Sequence, residues 1–290
     1  MTKLALGTVQ FGLSYGIANQ SGQVSLPKAE KILDHAMQAN IDMLDTAIAY
    51  GDSEEILGNL GVEKFNIVSK LPDLPLSCVD VDSWVERQVL GSLKRLGVQA
   101  LYGLLLHRSE NLLGNSGKKL IDALNRAKSN NLVKNVGVSI YDPSELDEIM
   151  HLMRIDLVQA PLNVIDRRLE MSGWLSRLHQ KGVEVHTRSA FLQGLLLMPR
   201  KKIPAKFDAW RSLWDKWATK VEKNNLNAAA VCLSYPLSLP EVDRVVVGVD
   251  SVDQLKALIA VSQIQPPNHD FSFMTMEDER LINPSNWGAL

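Results

Sequence analysis

Short apolar runs and longer stretches of helical period alternate along the whole chain. Eight runs have the length and turn flanks of buried strands: Leu4–Leu6, Met43–Asp45, Asn66–Ser69, Leu101–Leu106, Asn135–Val138, Leu157–Gln159, Glu184–Thr187 and Arg244–Val247. Most are near-continuously hydrophobic, as parallel strands covered on both faces are. Between them, Lys28–Ala39 places Ile32, Leu33, Ala36 and Met37 on one helical face. It follows Pro27, which suits a first turn, and stops at Asn40, which tolerates the left-handed conformation. Ser83–Leu96 carries the stripe Val85, Val89, Leu93, Leu96 and ends at Gly97. Leu120–Ser129, Pro143–Met153, Leu169–Lys181, Lys206–Lys223, Asn227–Leu237 and Val252–Val261 continue the series, and a further helix is expected to begin near Asp52. Eight alternations without a linker or composition break predict an α/β fold, a single (β/α)8 TIM barrel over residues 1–290. A doubly wound sheet usually has fewer strands, and its Gly-rich turn is absent: Gly7-Thr-Val-Gln-Phe-Gly12 has the wrong spacing. Trp210, Trp214 and Trp217 share a helical stripe and read as packing residues. The tail 265–290, with Phe271, Phe273 and Trp287 after Pro266-Pro267, is expected to pack over the barrel.

Composition narrows the partners. With 31 basic and 33 acidic residues the formal net charge is −2, which offers nothing to nucleic acid or an anionic membrane. Cys78 and Cys232 form no CxxC pair, and the six histidines show no HExxH spacing, so neither a disulfide frame nor a metal site is expected. The chain enters an apolar strand directly and has no membrane-length apolar run, so a cytoplasmic protein is expected.

Candidate chemistry lies where the strands end. In Met43-Leu-Asp45, Ile67-Val-Ser-Lys70 and Leu104-Leu-Leu-His107 an apolar run finishes in a polar residue, and Tyr50-Gly51 turns the chain soon after the first of them. In a parallel barrel the C-terminal strand ends carry the chemistry, so Asp45, Tyr50, Lys70 and His107 would meet at one rim. Reduction of a carbonyl by hydride needs a proton at the developing alkoxide. A tyrosine, with an ordinary pKa of about 10, supplies it more readily beside a lysine ammonium. Asp45 would hold Lys70 charged, and His107 would orient the carbonyl. Singly, each has a bland reading: a cap for Asp45, a turn for Tyr50, a solvated strand end for Lys70, a core histidine for His107.

The chain also resembles the aldo-keto reductase family from about Leu4 to Leu258. The likeness rests on Leu6-Gly-Thr8, Leu44-Asp-Thr-Ala47, Tyr50-Gly51, Ser53-Glu54, Leu57-Gly58, Ser69-Lys70, Leu106-His107, Gly137-Val-Ser139, Gln159-Ala-Pro-Leu-Asn163 and Gln193-Gly194, in that order. The resemblance implies a (β/α)8 barrel, NAD(P)H-dependent carbonyl reduction, and a tetrad at Asp45, Tyr50, Lys70 and His107. It implies NADPH, or NADH, held by Thr8, Ser139, Gln159, Arg188, Ser189, Phe191, Gln193, Gly194, Gly248, Ser251 and Gln254. Four positions depart from the family pattern. A first strand by about Lys3 leaves no room for the N-terminal hairpin. Ile140 stands where an Asn often touches the carboxamide, and Arg188 where an aromatic ring often stacks on the nicotinamide. Gln254 and Leu258 replace the Arg and Asn common near the adenosine end, which weakens the expected preference for the 2′-phosphate.

After strand one, the stretch Phe11–Gln23 carries Tyr15 and Asn19, groups that hydrogen-bond hydroxyls without demanding a charge. With the likeness of this opening to a bacterial branch associated with sugar and polysaccharide pathways, a hydroxylated, sugar-like carbonyl compound, a keto-sugar or its nucleotide derivative, is the expected substrate. A cofactor-binding regulatory protein of the same fold, and an unrelated barrel enzyme using Lys70 as a Schiff base, are the rival readings. Arg200-Lys201-Lys202 reads as a solvated basic loop.

Overall fold

The computed structural model describes residues 2–264 and 270–290. Eight parallel strands close into a barrel in sequence order: β1 Leu4–Gly7, β2 Met43–Asp45, β3 Asn66–Leu71, β4 Leu101–Leu106, β5 Val133–Ser139, β6 Leu157–Pro161, β7 Glu184–Arg188 and β8 Arg244–Gly248. Closure is made by β8 on β1, with Ala5 opposite Val246 and Gly7 opposite Gly248. Every expected strand is present, and most run one to three residues longer than the apolar pattern.

Strand alternation divides the barrel into two cores. Ala5, Met43, Val68, Leu105 and Leu157 each lie two residues before Gly7, Asp45, Lys70, His107 and Gln159, so each pair shares the inner face. The five form a buried cluster of their own, an apolar plug beneath the polar rim. The outward positions, among them Leu6, Leu44, Ile67, Leu104, Val136, Val158 and Val185, pack beneath the helices. Asp45 and Lys70 therefore sit above an apolar layer.

The helical segments depart from the pattern at two places, each with a local cause. Leu169–Lys181 is broken into Arg168–Met171 and Trp174–Gln180, because Gly173 takes the left-handed conformation at φ 78°. Lys206–Lys223 begins as a 3₁₀ turn, Ala205–Trp210, before the α-helix Arg211–Lys223. Three-residue winding puts Phe207 and Trp210 on one side, and both are buried. Asn40, at φ 59°, ends the helix Leu26–Gln38 as its residue type suggests.

Trp210, Trp214 and Trp217 anchor a third cluster with Leu192, Leu195 and Leu196 from the loop after β7. The tail joins this cluster: Phe271 lies 5.6 Å from Trp217 and Trp287 4.9 Å from Phe207, both edge-on. Met276 donates its backbone N–H to the carbonyl of Ile165, in the loop after β6, so the tail lies at the same end of the barrel as the tetrad. Phe273 stays exposed, and Pro266 and Pro267 lie outside the described residues. Trp287 is 5% exposed and donates its indole N–H to Leu281. Replacing it with alanine is expected to cost about 3–5 kcal/mol, as large aromatic deletions from a core do, read as a lower urea midpoint at unchanged slope.

Candidate active site

The turn that presents Tyr50 is built by close approach. Tyr50 donates its N–H to Ala47 at 3.0 Å and accepts from the N–H of Ser53 at 3.1 Å. A side chain on Gly12 would overlap the Tyr50 carbonyl, and Gly51 turns at φ 53° against the Gly12 carbonyl. Behind the turn, the Thr8 hydroxyl donates to the Asp45 carbonyl at 2.9 Å, and the Ser53 hydroxyl reaches the Thr8 carbonyl at 2.9 Å. Thr8, expected among the cofactor residues, is fully buried, and its side chain fastens Asp45.

The four tetrad residues do converge. Lys70 Nζ donates to both Asp45 carboxylate oxygens, at 2.7 and 2.8 Å, and to the Thr46 carbonyl at 2.9 Å. The ammonium is 5.1 Å from the centre of the Tyr50 ring, and the Tyr50 and His107 rings meet edge-on at 5.7 Å. Lys70 acts on the phenol first through its charge and then through hydrogen bonding. Burial works against the Lys70 ammonium, but the Asp45 carboxylate and the Tyr50 phenol together hold its pKa above the usual value. Burial raises the Tyr50 phenol by more than Lys70 lowers it, so the net shift is upward, where the sequence argument expected a lowered phenol. Tyr50 is thus a stored proton at neutral pH. Burial, then Lys70 and Arg188, drives His107 down to about 4, which leaves a neutral imidazole.

Gln159 Nε2 donates to Asp45 Oδ2 at 2.7 Å. A carboxylate only accepts, so the amide is forced to turn its nitrogen toward Asp45 and keep its oxygen for another donor. Ser139 stands beside it across β5–β6. Farther round the rim the loop after β7 runs through left-handed backbone at Ser189, Leu192, Gln193 and Gly194, with φ of 62°, 47°, 54° and 88°. Asn163 fixes that loop by donating to the Ser189 carbonyl at 3.0 Å, and Phe191 packs its ring on the core. After β8, a side chain on Gly248 would run into Gln10, whose Oε1 is buried without a partner. Ser251 caps the helix Val252–Ser262 by accepting the Gln254 N–H at 3.2 Å. A directed amide oxygen, a left-handed loop, a glycine at the wall beside an orphaned acceptor and the start of a helix together fit a dinucleotide. Gln254 itself spends its oxygen on the Asp250 N–H, at 2.7 Å.

Arg188 lies with its guanidinium 4.4 Å over the Tyr141 ring, and donates to the Ile140 carbonyl at 2.9 Å and Ser189 Oγ at 3.3 Å. The two unusual residues, Ile140 and Arg188, thus bond to each other. Of the residues expected to touch substrate, Tyr15 reaches the rim and its hydroxyl accepts from Gln193 Nε2 at 3.2 Å. Asn19 is corrected. Its amide donates to the carbonyls of Tyr15 and Gly22 and, at 3.4 Å, to Asp250, while its oxygen accepts from Ser21 and Gly22. It closes its own loop, the habit of an asparagine in a turn, and has little left for a ligand.

Glu54, Gln10 and Tyr141 went unnoticed as site supports. Buried Glu54 accepts from Ser69, Ser92 and Arg95, tying the helix Ser53–Leu60 to β3 and to the helix Val81–Leu96. Its signal was present, since an acidic residue beside Ser53 at a helix start reads as a first-turn acid, but its distant partners are invisible to local spacing.

The model of the aldo/keto reductase family matches residues 3–275. The chain belongs to that family. An uncharacterized oxidoreductase, YqkF, of Bacillus subtilis (strain 168) is 25% identical over 283 residues, covering 88% of this chain and 89% of that protein. An NADH-specific methylglyoxal reductase of Escherichia coli (strain K12) is 21% identical over 317 residues, covering 97% and 96%. Among solved structures, the holo form of aldo-keto reductase AKR11C1 from Bacillus halodurans superposes with a TM-score of 0.74 at 20% identity, covering 96% of this chain and 95% of that one. This member of the family is an oxidoreductase, and its family's chemistry is carbonyl reduction with a nicotinamide cofactor. Among the described residues no helix is long and apolar enough to cross a membrane, and no cluster of His, Cys, Asp and Glu could hold a metal ion.

The depressed His107 has a direct readout. Its imidazole resonances are expected to titrate near pH 4 rather than 6.5. Because the folded pKa lies below the unfolded one, this group's contribution to stability is fully present above about pH 6.5 and is lost as pH falls toward 4. A titration midpoint at the ordinary value would put His107 in open solvent.

Proposed function

We propose that the chain is an NAD(P)H-dependent reductase that converts an aldehyde or ketone to an alcohol, with Tyr50 supplying the proton. The observation that carries this reading is the buried Lys70–Asp45 pair set beside the Tyr50 ring, with neutral His107 edge-on to the same ring. When bound, the cofactor would supply the hydride. His107 donates a hydrogen bond to the substrate oxygen and holds it toward Tyr50. The phenol, protonated at rest, passes its proton to that oxygen as negative charge grows there. Lys70 stabilises the phenolate left behind, and Asp45 keeps the ammonium charged and in place. Gln159 and Ser139 would orient the cofactor's carboxamide, the Ser189–Leu195 loop and the Gly248–Gln254 loop would hold its phosphates, and Arg188 would stack on the nicotinamide.

A purely regulatory protein would not need four converging proton-transfer groups. A Schiff-base enzyme needs a lysine that is neutral near pH 7, whereas Asp45 holds Lys70 charged. Tyr15 at the rim supports a small hydroxylated, sugar-like substrate; the protein's partners are then small molecules in the cytoplasm, not nucleic acid or membrane.

Tyr50→Phe is expected to reduce turnover below roughly a tenth of wild type while cofactor affinity stays nearly constant, because the phenol is needed in the transition state and not for binding the dinucleotide. Lys70→Met should fall almost as far, and the double variant little further, since the two groups act as one unit. Steady-state rates with fluorescence titration of the cofactor check both. A Tyr50→Phe variant that keeps most of its turnover removes Tyr50 from the acid role.

Cofactor choice follows from Gln254. An Arg–phosphate contact contributes on the order of 1.5–3 kcal/mol, so its absence is expected to narrow the preference for NADPH about ten- to a hundredfold. Titration with each dinucleotide tests this. Equal affinities or tighter NADH binding would show that Gln254 and Asp250 have reversed the choice, as the name of the Escherichia coli relative would suggest.

A further inference from the structure

Among the groups that surround the Tyr50 proton, one charge has no counterpart. Lys70 is neutralised by Asp45, at 2.7 Å. His107 is neutral, and Asp73 beside it faces Arg108 at 3.4 Å. Tyr15, Tyr50 and Tyr141 are phenols. That leaves Arg188, half-buried, with no ion-pair partner among the described residues. Arg95, Arg168 and Arg244, also only partly exposed, each hold a carboxylate: Glu54, Asp166 and Asp42; Arg167, in the loop after β6, holds none among the described residues and stacks on Tyr235. Arg188 has instead an aromatic face under it, a backbone carbonyl and a hydroxyl, all uncharged.

The same contacts fix the guanidinium plane. The Tyr141 ring covers one face, and the bonds to Ile140 and Ser189 hold one edge. The remaining N–H donors of a planar fork are preorganised to take paired oxygens. They lie within electrostatic reach of Tyr15, Tyr50 and His107, the groups that surround the carbonyl in the reading given above.

We propose that Arg188 binds an anionic group on the substrate, a carboxylate or a phosphate a few bonds from the carbonyl, so that the enzyme favours oxo acids or phosphorylated keto sugars over neutral carbonyl compounds. This rests on the reductase reading and narrows its substrate class. It differs from a role confined to stacking on the nicotinamide, which would serve every substrate alike. The loop carrying Tyr15 then addresses the hydroxylated part of the same molecule.

Two matched pairs separate charge from shape: phenylglyoxylate with its methyl ester, and dihydroxyacetone phosphate with dihydroxyacetone. Wild type is expected to favour the charged member of at least one pair by about ten- to a hundredfold in kcat/KM, the size of a charge-assisted contact. Arg188→Gln is expected to collapse that ratio to within about threefold, and Arg188→Lys to restore part of it, with the charge but not the fork. Any loss of grip on the cofactor enters both members of a pair and cancels in the ratio. The pair that shows the effect tells carboxylate from phosphate. Equal losses on both members, or a wild-type preference for the neutral member of both pairs, overturn the proposal while leaving the reductase reading intact. A binding arm keeps the two apart in the other direction: tryptophan quenching by phenylglyoxylate and by dihydroxyacetone phosphate on cofactor-loaded protein. If no carbonyl is turned over yet affinity for one of these anions falls about tenfold or more in Arg188→Gln, the reductase reading fails and the anion site stands. Unchanged affinity for both overturns the anion site.

Discussion

A charged pair buried on an apolar floor is the constraint from which the rest of this molecule follows. Lys70 is 1% exposed and Asp45 5%. Beneath them lie Ala5, Met43, Val68, Leu105 and Leu157, which offer no hydrogen bond. Taking either partner out of water alone costs several kcal/mol, and removing one strands the other. The pair is tolerable because its other valences are met: Thr46 accepts from the ammonium and Gln159 donates to the carboxylate. Those two contacts couple β2 to β3 and to β6 across the barrel's width. Thr8 and Ser53 then hold the backbone of Asp45 from the β1 side. The pair is a costly way to stabilise a barrel and an effective way to keep a positive charge fixed beside a phenol.

Burial sets the electrostatics of the rim in a direction that pairwise reasoning misses. A lysine near a tyrosine suggests an acidified phenol; the folded site keeps the phenol protonated and the histidine neutral. Both effects follow from withdrawing the groups from water, which disfavours every charged form that has no partner. The resting site therefore carries its proton on Tyr50, and the phenolate is stabilised only once that proton has left.

Much of this was legible in the chain. The eight strands follow from short apolar runs, and Asp45, Lys70 and His107 from the polar residue that ends three of them. What was not legible depends on partners far apart in sequence. Glu54 meets Ser92 and Arg95 across 38 and 41 residues, and Arg188 meets Ile140 across 48. Residue type alone was also ambiguous: Asn19 has the groups to bind a hydroxylated ligand, and its own loop uses them. Gly173 looked like an interior residue of one helix because period says nothing about the sign of φ.

The loop after β1 touches both of the later loops at the rim. Tyr15 meets Gln193 in the loop after β7, Ala18 lies where a side chain on Gly194 would fall, and Asn19 reaches Asp250 after β8. Three segments separated by nearly the whole length of the chain thus form one mechanical unit. An exchange at Tyr15 or Ala18 is transmitted to Gln193 and Asp250, so in the reading proposed above the selectivities for substrate and cofactor would be inherited and engineered together.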